Sequence, residues 1–426
     1  MGTCDNADAL PNVDMIAPAI PSANFGRVVH VSADYPDQYQ IAKTRAIESL
    51  IRLVDDRFDN TVFSLNRRSP GALIMPAIVR NPLCPRLAIG LGNTAENAVP
   101  VLYDAPGKGF YHAAMLRRLG DWLADQLAAG SKPGLLVGHK LSVEGIAVAH
   151  AAGLLGVPYA LAIQGNSDRR ILRARPDLRR QFGRVFHGAA MVFHCAPWAL
   201  NMVEAQLGQR VGPVALVPYP VADDHIQLPR TGGDGLLTIF HLRGYRLKNL
   251  GRMAAAVSIA ARQVPGTRLA VAGGGTPEQT AGCDRIIAGH PCVLEGALSP
   301  DQVPARLNHA RGFVLPSLRE SFGLVFIEAL LAGVPIVYPA DWAVDGHFDD
   351  APFALRVNNR SVPEIADAMA RLMRDEAPLK QALAAWQQSP AAGIFKRKAI
   401  GDAFAAGLDA AMAAPAPGMI VPAMGR

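Results

Sequence analysis

The chain has 426 residues, a length that favours two domains over a single core. Apolar residues make up 50% and charged residues 18%, which excludes global disorder, and 6% aromatics offer no stacking platform for single-stranded nucleic acid. The formal net charge of +6 is uneven: residues 1–215 carry 22 Lys/Arg against 17 Asp/Glu and the remainder 20 against 19, so an anionic partner is sought on the first half.

In chain order, residues 1–24 and 412–426 are Ala/Pro-rich and aperiodic, and read as flexible tails. The opening "MGTCDNADALPNVD" is acidic and has neither a basic n-region nor an apolar h-region, so it does not read as a signal peptide. Asn6 stands where a myristoylation signal needs Ser or Thr. No run of 18 apolar residues occurs, so no membrane span is expected. The five cysteines (Cys4, Cys84, Cys195, Cys283, Cys292) form no C-x-x-C pair. That argues against a disulfide frame or a zinc site and for a reducing cytoplasm, and no metal is expected.

Short β-branched runs at 27–33, 61–66, 135–139, 159–164 and 191–196 read as buried parallel strands, with helices at 41–54, 110–129, 142–153 and 197–206. After a Gly-rich break at 229–235 the alternation restarts, with strands near 236–242, 268–273, 292–295, 312–316 and 335–339. Such alternation predicts doubly wound α/β layers. "LLGVPYALA" (154–162) and "LAGVPIVYP" (331–339) echo each other as helix, Gly, Val, Pro, strand, which supports two similar domains with a cleft between them. The expected division is a tail at 1–24, a first Rossmann-like domain at 25–220, a second at 221–390 and a returning helix with tail at 391–426.

Three segments carry candidate chemistry. In "LPSLRESFGLVFIEALLAGVP" (315–335), Glu320 falls in a strand-to-helix loop and Glu328 about one and a half turns into the helix. Ligands of α/β proteins bind at the carboxyl edge of the sheet, and a helix start there favours an anion by roughly 0.3–1 kcal/mol. Phosphate fits at 322–325, and the carboxylates, which repel it, suit the hydroxyl groups of sugars. From spacing alone they read equally as a loop charge and a helix-face charge. In "FHLRGYRLKN" (240–249), Arg243 and Lys248 stand five apart in a Gly-containing turn, a pair suited to a diphosphate or simply a solvated basic turn. "AVAGGG" (270–275) lets backbone approach a ligand but lacks the dinucleotide fingerprint, since Glu278 replaces the third glycine. His139 ends a strand in "LLVGHK", where a lone histidine is more often structural than catalytic.

Taken together, R-x4-K after the first strand of the second half, the Gly-rich strand end and E-x7-E with its "PS…ESFG" lead-in resemble a retaining GT-B glycosyltransferase. The likeness is to the large family 4 group of bacterial glycan glycosyltransferases. It covers 236–345 well and the first half loosely. It implies two Rossmann-like domains facing a cleft, with the C-terminal helix crossing back to the first. It further implies that Arg243 and Lys248 hold the donor diphosphate and that Glu320 bonds sugar hydroxyls. Phe322, Gly323 and Leu324 present backbone N–H groups, Gly273 and Gly274 line the donor, Glu328 holds the ribose, and His139 lies near the transferred sugar. The implied reaction retains the anomeric configuration without metal or other cofactor, the donor phosphate taking the acceptor proton. Uridine diphosphate sugars are favoured over guanosine diphosphate sugars. One departure stands out: "SADYPDQYQ" (32–40) replaces the Gly-Gly loop that many members carry after the first strand.

"SDRRILRARPDLRRQFGR" (167–184) holds seven arginines, interrupted by Pro176. With Arg169, Arg170, Arg179 and Arg180 it reads either as a face for anionic lipid or a lipid-diphosphate acceptor, or as a solvated face interleaved with Asp168 and Asp177. The leading expectation is a cytoplasmic, peripheral glycosyltransferase of surface or exopolysaccharide synthesis. Another enzyme on the fold (an epimerase or a phosphorylase) and a non-catalytic carbohydrate-binding subunit remain alternatives. Nucleic acid is not an expected partner.

Overall fold

The computed structural model describes residues 26–69, 76, 88–92, 98–105 and 112–416. Of the tails expected at 1–24 and 412–426, residues 1–24 and 417–426 lie outside these residues, while Met412 ends a helix. Two sheets carry the chain. The first contains β1 (Gly26–Ser32), β2 (Phe58–Arg68), β3 (Ile89–Leu91), β4 (Val99–Asp104), β5 (Leu135–Gly138), β6 (Tyr159–Ile163), β7 (Met191–His194) and β8 (Val214–Leu216), in the order β3-β4-β2-β1-β5-β6-β7-β8. The second contains β9 (Leu236–Ile239), β10 (Leu269–Ala272), β11 (Cys292–Gly296), β12 (Gly312–Val314), β13 (Ile336–Pro339) and β14 (Ala354–Val357), in the order β11-β10-β9-β12-β13-β14. Every pairing is parallel except that of the short edge strand β3 with β4. The doubly wound α/β reading therefore holds.

Local sequence explains the central strands. β5 and β6 are buried at every position, as continuous apolar runs covered by helices on both faces must be. The strands that periodicity does not reveal (β3, β4, β8 and β14) are short or lie toward the sheet edges, where burial and hence hydrophobic patterning is incomplete. The echoed Gly156 and Gly333 both take left-handed backbone conformations ahead of a strand, β6 in one case and β13 in the other.

The chain forms two compact units. One holds the described residues up to Cys195, Leu200–Val217 and the residues from Ile400 on; the other holds Ala196–Ala199 and Pro218–Ala399. The final helix, Arg397–Met412, thus belongs to the first unit from Ile400 on. There it buries Phe404 with its ring 5.1 Å from Phe193 and 6.3 Å from His30, and Asp402 pairs with Arg57 at 2.6 Å.

In the first unit the segment after β1 is held by side chains. Asp37 Oδ2 accepts from Asn66 Nδ2 (2.6 Å), Ser64 Oγ (2.5 Å) and Lys43 Nζ (3.2 Å). Ala33 N–H donates to Glu144 Oε1 at 2.7 Å, and Lys140 pairs with Asp34 at 2.6 Å. Glu144 is fully buried, and burial pushes its carboxyl up to about 8, with Lys140 and the Ala33 amide offsetting only part of that. Its Oε2 has no hydrogen-bond partner among the described residues.

The sign of the resulting pH dependence is fixed. Below pH 4.5 folded and unfolded states both hold the Glu144 proton; between 4.5 and about 8 only the folded state does, so stability falls as pH rises through that window. Denaturant unfolding between pH 5 and pH 9 is expected to show wild type losing a few kcal/mol that Glu144→Gln does not lose. Parallel pH profiles for the two proteins would contradict it.

Candidate functional site

In the second sheet the strand order reverses between β9 and β12, the position at which open α/β sheets leave a crevice at their carboxyl ends. Both glutamate- and cation-bearing segments leave from these two strands. After β9 a short turn, Leu242–Gly244, is capped by His241, whose Nδ1 accepts from Arg243 N–H at 3.1 Å. The helix Leu250–Gln263 then begins. Arg243 is exposed and makes no ion pair among the described residues, while Lys248 is half-buried and its Nζ donates to Glu320 Oε2. The two residues predicted to grip the diphosphate and the sugar hydroxyls are therefore direct partners, 72 positions apart in sequence.

After β12 the chain runs through Pro316 and Glu320 to Gly323, which precedes the helix Leu324–Leu331. Gly323 has φ 74°, and a Cβ there would lie 2.8 Å from the Phe326 ring and 3.1 Å from Glu320 Cγ. Only glycine allows the chain to turn so tightly into the helix. The first N–H groups of that helix have no intrahelical acceptor, and Leu324 and Val325 are half-exposed. Phe322 is 2% exposed, wedged between Tyr219 (6.1 Å) and His347 (5.9 Å), so its side chain is a wall of the segment and only its backbone is left for a ligand. Glu328 follows one turn into the helix, half-buried, with its carboxyl raised by desolvation. A desolvated carboxylate gains when a hydroxyl group donates to it.

Two of the glycines after β10 are demanded by the fold itself. A Cβ at Gly273 would fall 1.8 Å from the Phe240 carbonyl oxygen, and one at Gly275 would fall 2.7 Å from Leu242 Cβ. These residues let the end of β10 lie against the turn after β9, where Leu242 N–H donates to Gly274 O at 2.9 Å. They shape the segment that carries Arg243.

His139 and the arginines lie on the first unit. His139 is fully buried and borders no open surface. Its Nε2 lies 3.1 Å from Nδ1 of His30, whose own Nε2 lies 3.1 Å from Asn60 Oδ1. Because the Asn60 oxygen can only accept, His30 donates through Nε2, and His139 Nε2–H donates to His30. That leaves His139 Nδ1 bare and without a hydrogen-bond partner among the described residues. Burial pushes His30 down to about 4 and His139 well below its ordinary value, so both rings are neutral at physiological pH. Arg170, Arg179 and Arg180 are exposed on the helices Asn166–Ala174 and Arg179–Gly188; Arg169 is half-buried and has a partner. Asp168 is buried and takes the Ser142 N–H and hydroxyl (2.9 and 2.6 Å), so it is no part of a solvated face.

The sequence reading did not single out His30 or the buried pair Asn249 and Asn359, whose side chains bond backbone carbonyls of neighbouring segments. The signal available was an asparagine directly after Lys248, a residue type that tolerates positive φ; Asn249 has φ 67°. Among the described residues no cluster of three or more His, Cys, Asp or Glu is placed to hold a metal, and no helix is long and apolar enough to cross a membrane.

Comparison with known proteins places these findings. Residues 236–375 match the family Glycosyl transferases group 1. A stretch of 127 residues is 32% identical to a GDP-mannose-dependent alpha-(1-6)-phosphatidylinositol monomannoside mannosyltransferase of Mycobacterium tuberculosis, spanning 27% of this chain and 32% of that protein. The chain therefore matches about a third of that relative's length. Solved structures extend the likeness over almost the whole chain. Sucrose-phosphate synthase from Thermosynechococcus elongatus superposes with a TM-score of 0.59 at 17% identity, covering 89% of this chain and 97% of that one. The Escherichia coli trehalose-6-phosphate structure bound with UDP-2-fluoro glucose gives 0.59 at 11% identity, covering 92% and 100%. The chain has the GT-B fold of two doubly wound α/β units, and within it residues 236–375 are similar to Glycosyl transferases group 1.

Proposed function

We propose that the protein transfers a hexosyl group from a nucleoside diphosphate sugar to a hydroxyl of a glycan or lipid-linked acceptor, with retention of anomeric configuration. The observation that carries this reading is the meeting of Lys248 with Glu320 beside the start of the helix Leu324–Leu331, at the carboxyl ends of β9 and β12. Lys248 and Arg243 face the diphosphate, and the free helix N–H groups add partial positive charge to it. Glu320, once a phosphate competes for Lys248, is released toward the sugar hydroxyls. Glu328, desolvated in the next turn, takes the ribose hydroxyls.

In the proposed reaction the bond from the sugar C1 to the diphosphate oxygen breaks, and the electron pair leaves with the diphosphate. The acceptor oxygen bonds to C1 on the same face and passes its proton to a departing phosphate oxygen. Fixed cations at that phosphate lower the barrier without a paired-carboxylate arrangement. No metal or other cofactor is needed in this scheme. Uridine diphosphate sugars are the proposed donors, with guanosine diphosphate sugars next; the mannosyltransferase relative is GDP-mannose-dependent by name.

The proposed setting is surface or exopolysaccharide synthesis at the cytoplasmic face of a membrane. Arg170, Arg173, Arg179, Arg180 and Arg184 are exposed along two successive helices and make no ion pair among the described residues, a charge density suited to anionic headgroups.

Two measurements check these readings. In buffer with chelator, one nucleotide family among uridine, guanosine and adenosine diphosphate sugars is expected to raise the melting temperature and be slowly hydrolysed. Glu328→Ala should abolish the thermal gain, and Arg243→Ala should cut hydrolysis by ~10²–10³. No shift and no hydrolysis with any donor would refute the nucleotide-sugar assignment. In flotation, liposomes rich in phosphatidylglycerol should carry the protein upward and neutral liposomes should not. Undiminished flotation after Arg169, Arg170, Arg179 and Arg180 are all replaced by Gln would refute the lipid-facing role.

A further inference from the structure

Asn249 directly follows Lys248 and is 3% exposed, with φ 67° and ψ 32°, at the start of the helix Leu250–Gln263. Its side chain reaches out of its own segment. Nδ2 donates to Pro316 O (3.0 Å) after β12 and to Asn359 O (2.7 Å) after β14, while Oδ1 accepts from Arg252 Nη1 (3.1 Å). Asn359 Nδ2 in turn donates to Ser317 O at 2.7 Å, and the Leu318 N–H donates to Leu247 O at 2.8 Å. Three segments leaving the same edge of the sheet are thus tied through two carboxamides. The tie sits next to Lys248 on one side and three residues before Glu320 on the other.

The chemistry of the position is specific. One nitrogen must give two hydrogens to two buried carbonyls while the oxygen faces a guanidinium, and the backbone must sit at positive φ. Aspartate would aim a second acceptor at the carbonyls; alanine and glycine both remove the three side-chain bonds, but only glycine does so without straining the positive φ. Arg252 lies within the helix and needs no such reach, so its bond orients the carboxamide without linking segments.

We infer that Asn249, with Asn359, is a positioning residue that sets the separation of the Lys248 ammonium from the Glu320 carboxylate, and with it the joint grip on diphosphate and sugar. This inference rests on the proposed donor site. A displacement of about 1 Å in a group that touches the reacting atoms costs on the order of 10²-fold in rate, whereas the loss of two side-chain hydrogen bonds alone changes stability and leaves chemistry intact.

The test is a cycle of wild type, Asn249→Gly, Lys248→Ala and the double variant. Each is assayed for hydrolysis of UDP-glucose and GDP-mannose, for calorimetric affinity toward UDP and GDP, and for backbone hydrogen exchange. Asn249→Gly is expected to lower hydrolysis about 10- to 100-fold in wild type and less than about threefold in the Lys248→Ala background, because it acts through that lysine. Equal losses in both backgrounds would overturn the inference while leaving the donor assignment standing. The exchange arm needs no substrate: Asn249→Gly must speed exchange in segment 315–321, and unchanged exchange there overturns the tie by itself. A wild type that neither binds nor hydrolyses any probe, yet shows the exchange effect, refutes the donor reading and with it the catalytic purpose of the tie. Should Asn249→Gly fail to fold, Asn359→Ala, which removes the bond to Ser317, takes its place in the same cycle.

Discussion

Connections from β9 and β12 diverge because the strand order of the second sheet reverses between them, and at that one place no helix can cover the carboxyl edge. Backbone N–H groups and charged side chains brought there stay available to a ligand, whereas the same groups elsewhere would have to be satisfied by the protein. The chain concentrates its chemistry accordingly. β9 delivers Arg243 and Lys248, β12 delivers Glu320 and the glycine-started helix with Glu328, and Lys248 closes on Glu320. The Lys248 ammonium and the Glu320 carboxylate, both half-buried, satisfy each other.

The first unit repeats the topology but fills its own edge differently. Its reversal lies between β1 and β5, and there the segment after β1 is secured by Asp37 on Ser64, Asn66 and Lys43, and by Glu144 on the Ala33 amide. The segment after β1 is thus held from beneath by a side-chain network whose Lys43 is paired with Asp37. The two neutral imidazoles of His30 and His139 belong to the same interior, between β1, β5 and the final helix.

Much of the fold was legible because its signals are local. Apolar runs of four to five residues mark β5, β6, β9 and β10, and E-x7-E across "SFGLVFI" encodes a tight turn into a helix. What escaped was set by partners distant in sequence. Gly273 reads as a ligand-approach glycine; that the carbonyl of Phe240 also demands it is visible only in the fold. His139 reads from sequence only as a strand-end histidine, and the 109-residue-distant His30 reveals what it is bonded to inside the unit. Asp168 looked like a charge diluting an arginine run, but it holds Ser142. Asn249 carries no motif, since its meaning resides in two carbonyls 67 and 110 positions away.

The central claim, that the β9–β12 reversal holds a nucleoside diphosphate, is tested most directly by a crystal structure of the protein with bound UDP or GDP. The account predicts a terminal phosphate within hydrogen-bond distance of Lys248 Nζ and of N–H groups at 323–325, with ribose hydroxyls on Glu328 and the Lys248–Glu320 contact lengthened or broken. Nucleotide bound elsewhere, with that contact intact, would contradict it.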